Sequence, residues 1–259
     1  EASVQKLFLA TLTPAILCTV AFLAYTLWYG KKKNLPKQPK KTAKEAGKIM
    51  LDAIWALLLP VIVLGLIFSG ATTVTEAAAV SCLYSAVVSL FIYKTITFKD
   101  LLKILGDSAV SIAAIMILVG MSKATAYVVI SSQMPQLFMD FITSITDSRF
   151  VVLLIINVIF LILGCLMEGN CIIVMMVPLL LTLVKSFGID LLQFGVMSAI
   201  NIYIGCITPP VGVSLLLGCK LGKTSVGGTF KAILPFFAIS MVILILVTYW
   251  PSFTLWLIH

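Results

Sequence analysis

The sequence predicts an all-α membrane protein, and three observations carry that prediction. Of its 259 residues, 61% are apolar and 11% charged, with a mean hydropathy of +1.16. Ordinary soluble domains run at roughly 45–50% apolar and about 25% charged. The apolar residues fall into runs long enough to cross the roughly 30 Å of a bilayer's hydrocarbon. The charges are confined to short segments between those runs. A soluble globule cannot hide so much apolar surface, because even a domain of about 300 residues leaves roughly a quarter of its unfolded-chain surface in water. In hydrocarbon each backbone polar group must find its partner within its own segment, so the runs are expected to be helices. This composition excludes a soluble enzyme, a disordered tail and a disulfide-rich secreted module. The net charge of +8 does not indicate nucleic acid, because the lysines mark loops in the manner of cytoplasmic membrane segments.

The first run covers residues 7–29. A loop follows at 30–48, GKKKNLPKQPKKTAKEAGK, too rich in lysine and proline to enter a membrane. Runs at 49–68 and 77–93 are separated by SGATTVTE at 69–76. Residues 97–107, TFKDLLKILGD, place Leu101, Leu102 and Leu105 on one side and most charges elsewhere. They are read as a short helix lying in the membrane interface. A run at 108–130, interrupted by SKAT at 122–125, leads to a second amphipathic stretch at 133–146. Two apolar arms of 17 and 14 residues, 149–165 and 171–184, flank the polar tip LMEGN at 166–170. The segment from 189 to 204 breaks at GCITPPVG, 205–212, and resumes at 213–218. A polar, glycine-rich stretch at 220–231 precedes the last run, 232–258.

Cytoplasmic loops collect lysine. With the 30–48 loop inside, Lys94, Lys99, Lys103, Lys220, Lys223 and Lys231 also fall inside, and Glu76, Asp140, Asp147 and Asp190 outside. The segment 149–185 then enters and leaves on the external face. The charge distribution favours a re-entrant hairpin over two full crossings.

The chemistry is expected where the apolar runs break. Pro209 and Pro210 donate no backbone hydrogen and clash with the preceding turn. Residues before proline are pushed towards extended backbone. Carbonyls upstream lose their helical partners, which hydrocarbon tolerates only beside protein or a cavity. Such oxygens are ready ligands for a small hard cation, and half-helix N-termini nearby suit an anion. Glu168 sits between the two arms, where it can bind a cation, carry a proton or face water at a wet tip. Asp52, next to the lysine-rich loop, is expected to be structural, and Lys123 has no assigned role. The six cysteines, Cys18, Cys82, Cys165, Cys171, Cys206 and Cys219, form no C-x-x-C pair and read as small buried hydrophobes. The sole histidine, His259, is terminal. With no histidine in any run, no H-E-x-x-H and scattered carboxylates, an intramembrane enzyme is not expected, nor is any metal site beyond one for a small hard cation. The chain begins at Glu1 without a signal-peptide pattern, so it reads as part of a longer polypeptide.

These residues resemble the large membrane (M) subunit of a tripartite ATP-independent periplasmic (TRAP) transporter. The resemblance is carried by TVTEAAAV at 73–80, LMEGNCIIVMMVP at 166–178, GID at 188–190, FGVMSAINIYIGCITPPVG at 194–212, KAILPF at 231–236 and TYWPSFTLWL at 248–257. It runs in order through nearly the whole chain, and N-x-x-I-G-x-x-T-P-P-V-G at 201–212 is its most specific part.

The resemblance implies an elevator-type secondary transporter fold, here the second inverted repeat plus scaffold helices, with a re-entrant hairpin meeting an unwound transmembrane helix. It implies a multi-pass protein of the bacterial inner membrane that imports organic acids with Na+ as coupling ion: sialic acid, sugar acids or C4-dicarboxylates. It implies as partners a small Q membrane subunit, a periplasmic substrate-binding protein and the lipid bilayer. Carried over to this sequence, sodium would be held by Gly169 and Asn170 at the tip and by Gly205, Thr208, Val211 and Gly212 at the break. Glu168, Asn201, Pro209 and Pro210 would line the substrate cavity or its gate. Thr73, Thr75 and Glu76 match a family signature with an expected scaffold role.

By the same resemblance, residues 1–107 are scaffold, with 97–107 as an arm. Residues 108–219 are the moving part, with hairpin 149–186 and broken helix 189–219, and 220–259 hold a cytoplasmic arm and the last scaffold helix. The chain has neither the first repeat's hairpin nor its Pro-Pro break, so it looks like the C-terminal part of the subunit, with the N-terminal part missing. A sodium–dicarboxylate symporter of the elevator type, needing no binding protein, is the alternative.

Overall fold

The computed structural model describes residues 3–34 and 42–257; residues 35–41 of the lysine-rich loop and His259 lie outside the described residues. Every element among the described residues is helical. The helices are α1 (Val4–Lys32), α2 (Ala43–Phe68), α3 (Val74–Val87), α4 (Phe98–Ser131), α5 (Met134–Ile145), α6 (Arg149–Leu166), α7 (Gly169–Ser186), α8 (Leu191–Cys206), α9 (Val213–Gly222), α10 (Val226–Tyr249) and α11 (Pro251–Leu255). Seven helical stretches among the described residues are long and apolar enough to cross a membrane.

The chain divides into two compact units, one holding α1 together with the chain from Met116 onward, the other running from Lys33 to Ile115. In the Lys33–Ile115 unit, Tyr84 of α3 and Tyr93 beyond it tie back to α2: Tyr84 Oη donates to the Trp55 carbonyl at 2.8 Å and Tyr93 Oη to that of Asp52 at 2.6 Å. Helix α3 starts at a reciprocal cap. The Glu76 carboxylate accepts from the Thr73 amide at 2.7 Å and the Thr73 hydroxyl at 2.9 Å, while the Glu76 amide donates back to Thr73 Oγ1 at 3.3 Å. Such a box satisfies amides that a helix start otherwise leaves orphaned. Thr73 and Glu76, two residues of TVTEAAAV, are joined in this cap. After α3 a single π-type turn, Val88–Ile92, closes with Tyr93 N–H on the Val88 carbonyl.

One expectation about element boundaries is corrected. Residues 97–107 do not form a separate interfacial helix. They are the first turns of α4, a continuous helix of 34 residues, about 51 Å at 1.5 Å per residue. Thr97 and Asp100 cap its start just as Thr73 and Glu76 cap α3. No proline stops it at Asp107, and SKAT does not interrupt it. Ser122 and Thr125 turn their hydroxyls back onto the Leu118 and Met121 carbonyls at 2.9 and 3.1 Å, so their polarity is absorbed within the helix. Lys123 is exposed on this helix.

In the other unit, α6, α7 and α8 form the centre, with Phe160, Ile156, Ile172, Leu180 and Met197 fully buried. Helix α10 packs along α8, and α1 packs on α10 and α8. Phe22 and Tyr25 of α1 meet Phe236 of α10 edge-on at 5.1 and 5.2 Å. The last run, read as continuous to 258, is divided at Trp250–Pro251 into α10 and α11. Here proline opens a new helix at its first position. All six cysteines are free thiols. Cys171 and Cys219 are buried, Cys18, Cys165 and Cys206 partly so, and Cys82 is exposed, so the buried reading holds for only some of them.

Candidate functional site

The hairpin arms are α6 and α7, 18 residues each, and only Met167 and Glu168 separate them. Glu168 makes the turn possible. As N-cap of α7, its carboxylate accepts from the Asn170 amide at 2.9 Å, the Cys171 amide at 3.3 Å and Asn170 Nδ2 at 2.9 Å. An acidic N-cap satisfies orphan amides and sits favourably at the positive helix end. Glu168, exposed on this chain, is therefore a cap.

The second component is the gap between α8 and α9. The helix stops at Cys206, residues 207–212 are irregular, and α9 starts at Val213. The peptide bond between Pro209 and Pro210 is cis. The carbonyls freed at the end of α8 are partly reused locally. Ile204 O accepts the Thr208 hydroxyl at 2.6 Å and the Ile207 amide at 3.2 Å, and Gly205 O accepts the Thr208 amide at 2.9 Å.

Three contacts bring tip and break together. Gly164 and Gly205 cross backbone to backbone: a Cβ on Gly205 would stand 2.5 Å from the Gly164 Cα and 3.1 Å from the Cys165 nitrogen. Only a residue without a side chain permits that approach. The Gly212 amide donates to the Cys165 carbonyl at 3.1 Å, tying the far side of the gap to the last turn of α6. A Cβ on Gly169 would meet the Ile202 side chain at 2.7 Å. Helices α6 and α8 lie parallel, since Arg149 pairs with Gln193, Asn157 with Asn201 and Gly164 with Gly205. Their C-terminal ends, tip and break, consequently fall at one level.

At that level Gly212 adopts φ +47°, and the position its missing Cβ would take lies 2.6 Å from the Thr208 carbonyl oxygen and 3.2 Å from that of Cys206. No loop or cap amide is donated to either oxygen. Two peptide oxygens thus lie close against Gly212, an approach that the absence of a Cβ permits. Among the described residues no group of three or more His, Cys, Asp or Glu could hold a metal. Neutral oxygens without a carboxylate cluster suit a monovalent hard cation better than a divalent or soft one. Neutral peptide oxygens are a donor type that sodium accepts.

Gly169, Asn170, Gly205, Thr208 and Gly212 are gathered at the junction, with Thr208 committed through its hydroxyl to Ile204 O. Val211 and Pro210 lie exposed and Pro209 half-buried on the loop. Asn201 is fully buried and hydrogen-bonded to Asn157, so it lines no open surface of this chain. Sequence reasoning missed Gly164, whose signal was its small size opposite Gly205. It also missed the Cys206 carbonyl, which no side-chain pattern can announce. Helix α9 begins at Gly212 without a side-chain cap, leaving its first amides available to an anion.

The family model described as "Tripartite ATP-independent periplasmic transporter, DctM component" matches residues 1–253. Among curated relatives, the C4-dicarboxylate TRAP transporter large permease protein DctM of Pseudomonas aeruginosa is 36% identical over 98% of this chain and 60% of its own length. The sialic acid TRAP transporter large permease protein SiaM of Vibrio cholerae is 34% identical over 98% of this chain and 59% of its own. The isethionate TRAP transporter permease protein DctMQ of Oleidesulfovibrio alaskensis is 31% identical over 97% of this chain and 40% of its own. The chain thus spans about three fifths of the length of the first two. With the family model matched along almost its entire length, the chain belongs to the DctM component family of the tripartite ATP-independent periplasmic transporters.

Proposed function

We propose that this chain supplies the hairpin and broken-helix half of a permease that imports organic acids on a sodium gradient across the bacterial inner membrane. In this reading a periplasmic binding protein delivers the substrate and a small membrane subunit braces the permease. The observation that carries the proposal is the pair of convergent carbonyls, Cys206 O and Thr208 O, beside Gly212, where the hairpin tip meets the break. Sodium there would bridge the loop after α8. Because Gly212 is tied to Cys165, the same ion would stabilise the closed tip. It shifts the equilibrium only if it binds that closed state better than the open one. The uncapped start of α9 would receive the substrate's anionic group, while the start of α7 is already neutralised by Glu168.

Depth supports the re-entrant reading. Helix α10, 24 residues or about 36 Å, reaches beyond α8, 16 residues or about 24 Å, and packs also on α9. The tip ends level with the break, and α9, with Lys220 in its last turn, still follows the break in the chain. Helices α1 and α10 belong in this reading to the moving block, because both pack on α8. The unit containing α2 and α3 serves as the frame.

The test is uptake into liposomes by the complete permease with its small subunit and candidate binding proteins. Labelled sialic acid, sugar acids and C4-dicarboxylates are offered with and without an inward sodium gradient. Uptake that requires both sodium and a binding protein is expected. Uptake indifferent to sodium overturns the coupling. Sodium-driven uptake without a binding protein transfers the chain to the symporter class.

A further inference from the structure

A hydrogen-bonded chain of side chains that makes no contact with the carbonyl cradle runs through the packed faces of α6, α8 and α10. On α10, the Thr248 hydroxyl donates to the Leu244 carbonyl at 2.7 Å. That carbonyl can only accept, so Thr248 Oγ1 must receive its other bond, and Asn157 Nδ2 of α6 supplies it at 2.9 Å. Asn157 then turns its oxygen to α8, where Asn201 Nδ2 donates to it. The direction is fixed link by link, and the last oxygen, Asn201 Oδ1, is buried without a partner. A second branch leaves the same turn of α10. Gln193 Nε2 donates to the Thr248 carbonyl at 2.6 Å and to that of Val247 at 3.3 Å, and its Oε1 accepts from Arg149 at 3.3 Å. Gln193, Asn201 and Thr248 are fully buried and Asn157 nearly so.

Apolar faces do not define a register in lipid, because the surrounding tails are as apolar as the faces themselves. A glycine crossing sets how near two helices come, and a slide along the axis changes it little. Directional hydrogen bonds are different, since a slip of one turn, about 5.4 Å, would leave several buried amide groups unpaired. Buried polar pairs are best attested as fixers of register. We infer that Asn157, Asn201 and Thr248 are positioning residues that set the height of the hairpin tip against the break, and through it the affinity of the carbonyl cradle for sodium. The inference rests on the sodium reading above and adds three residues to it, one of which, Asn201, was expected at the gate.

The experiment uses the complete permease complex with Asn157→Leu and Asn201→Leu combined, so that neither amide is left unpaired. Two quantities are read: the sodium concentration giving half-maximal uptake, and the rate at which a short bismaleimide joins Cys165 to Cys206 after Cys18, Cys82, Cys171 and Cys219 are changed to serine. The expected result is unchanged expression and melting temperature, slower cross-linking, and a half-maximal sodium concentration raised about tenfold, the scale on which outer-shell partners act on bound ions. Cross-linking at the native rate overturns the inference. Altered cross-linking in a complex whose uptake ignores sodium upholds the positioning role and rejects the sodium reading instead. If the double variant does not assemble, Thr248→Val removes one link at nearly constant shape and must slow cross-linking, while Thr248→Ser must not; equal rates in these two also overturn it.

Discussion

Gly212 shows most directly how a single residue carries chemistry. Its φ of +47° is the left-handed region that costs an L-residue roughly 1–2 kcal/mol, and a methyl group would press on the Thr208 carbonyl at 2.6 Å. Gly212→Ala is therefore expected to push the Thr208 carbonyl out of place, raising the half-maximal sodium concentration at least about tenfold. Gly218→Ala in α9 is its control, because nothing lies within 4 Å of that Cβ. Alanine inside a helix is, if anything, stabilising. Equal sodium dependence in the two variants, measured by uptake, would remove Gly212 from the site. Both positions are glycines in an apolar segment, and only the Pro-Pro motif that Gly212 closes sets the two apart in the sequence. What was legible was the Pro-Pro step; which carbonyls it releases, and towards what, depends on φ and ψ values that residue types do not specify. Glu168 is the converse case. Its acidity was conspicuous in the sequence, and the structure spends it on capping a helix.

The apolar runs marked most helices within a few residues, because helix length in a membrane is set by hydrocarbon thickness. The boundaries that moved did so for local reasons. At α4 the Thr97–Asp100 box starts a helix that nothing stops at Asp107, so an amphipathic opening and an apolar continuation share one rod. At α6 and α7 the arms proved longer than their apolar runs, because Glu168 lets α7 begin directly at the tip. Charge distribution was also asked to do more than it can. A re-entrant hairpin and a pair of full crossings both return the chain to the face it left, so lysine placement does not separate them. The depth of the tip relative to α9 and α10 is the relevant quantity. The cap of α3 makes a prediction at this scale. Glu76→Ala removes an acceptor used by both the amide and the hydroxyl of Thr73, and is expected to lower the melting temperature. The half-maximal sodium concentration should not change, since the cap lies in the compact unit without the cradle. A thermal shift assay alongside uptake checks this, and a changed sodium dependence with an unchanged melting temperature would contradict it.

At the scale of the molecule, the question is which helices travel together. By the family resemblance, the last long helix is expected to be scaffold. In the function proposed above it travels with α6 and α8 instead. Helix α10 lies along α8, shares buried hydrogen bonds with α6 and α8 through Thr248, and stacks Tyr249 on Phe150 at 4.0 Å between ring centroids. Sliding α10 past α6 would expose those polar groups to hydrocarbon, where each unpaired group costs several kcal/mol. A rigid block that contains both helices avoids that cost at every stage of a transport cycle. The consequence is testable with Phe150→Cys and Tyr249→Cys together, at a pair outside the cradle. If α6 and α10 move as one body, joining the two cysteines with a short bismaleimide leaves sodium-driven uptake close to that of the unlinked double variant. If α10 belongs to the frame, the same covalent bond ties mover to frame and uptake stops. Completeness of cross-linking, followed by protease digestion between the two positions, makes retained uptake interpretable, because an unlinked remainder would otherwise sustain it.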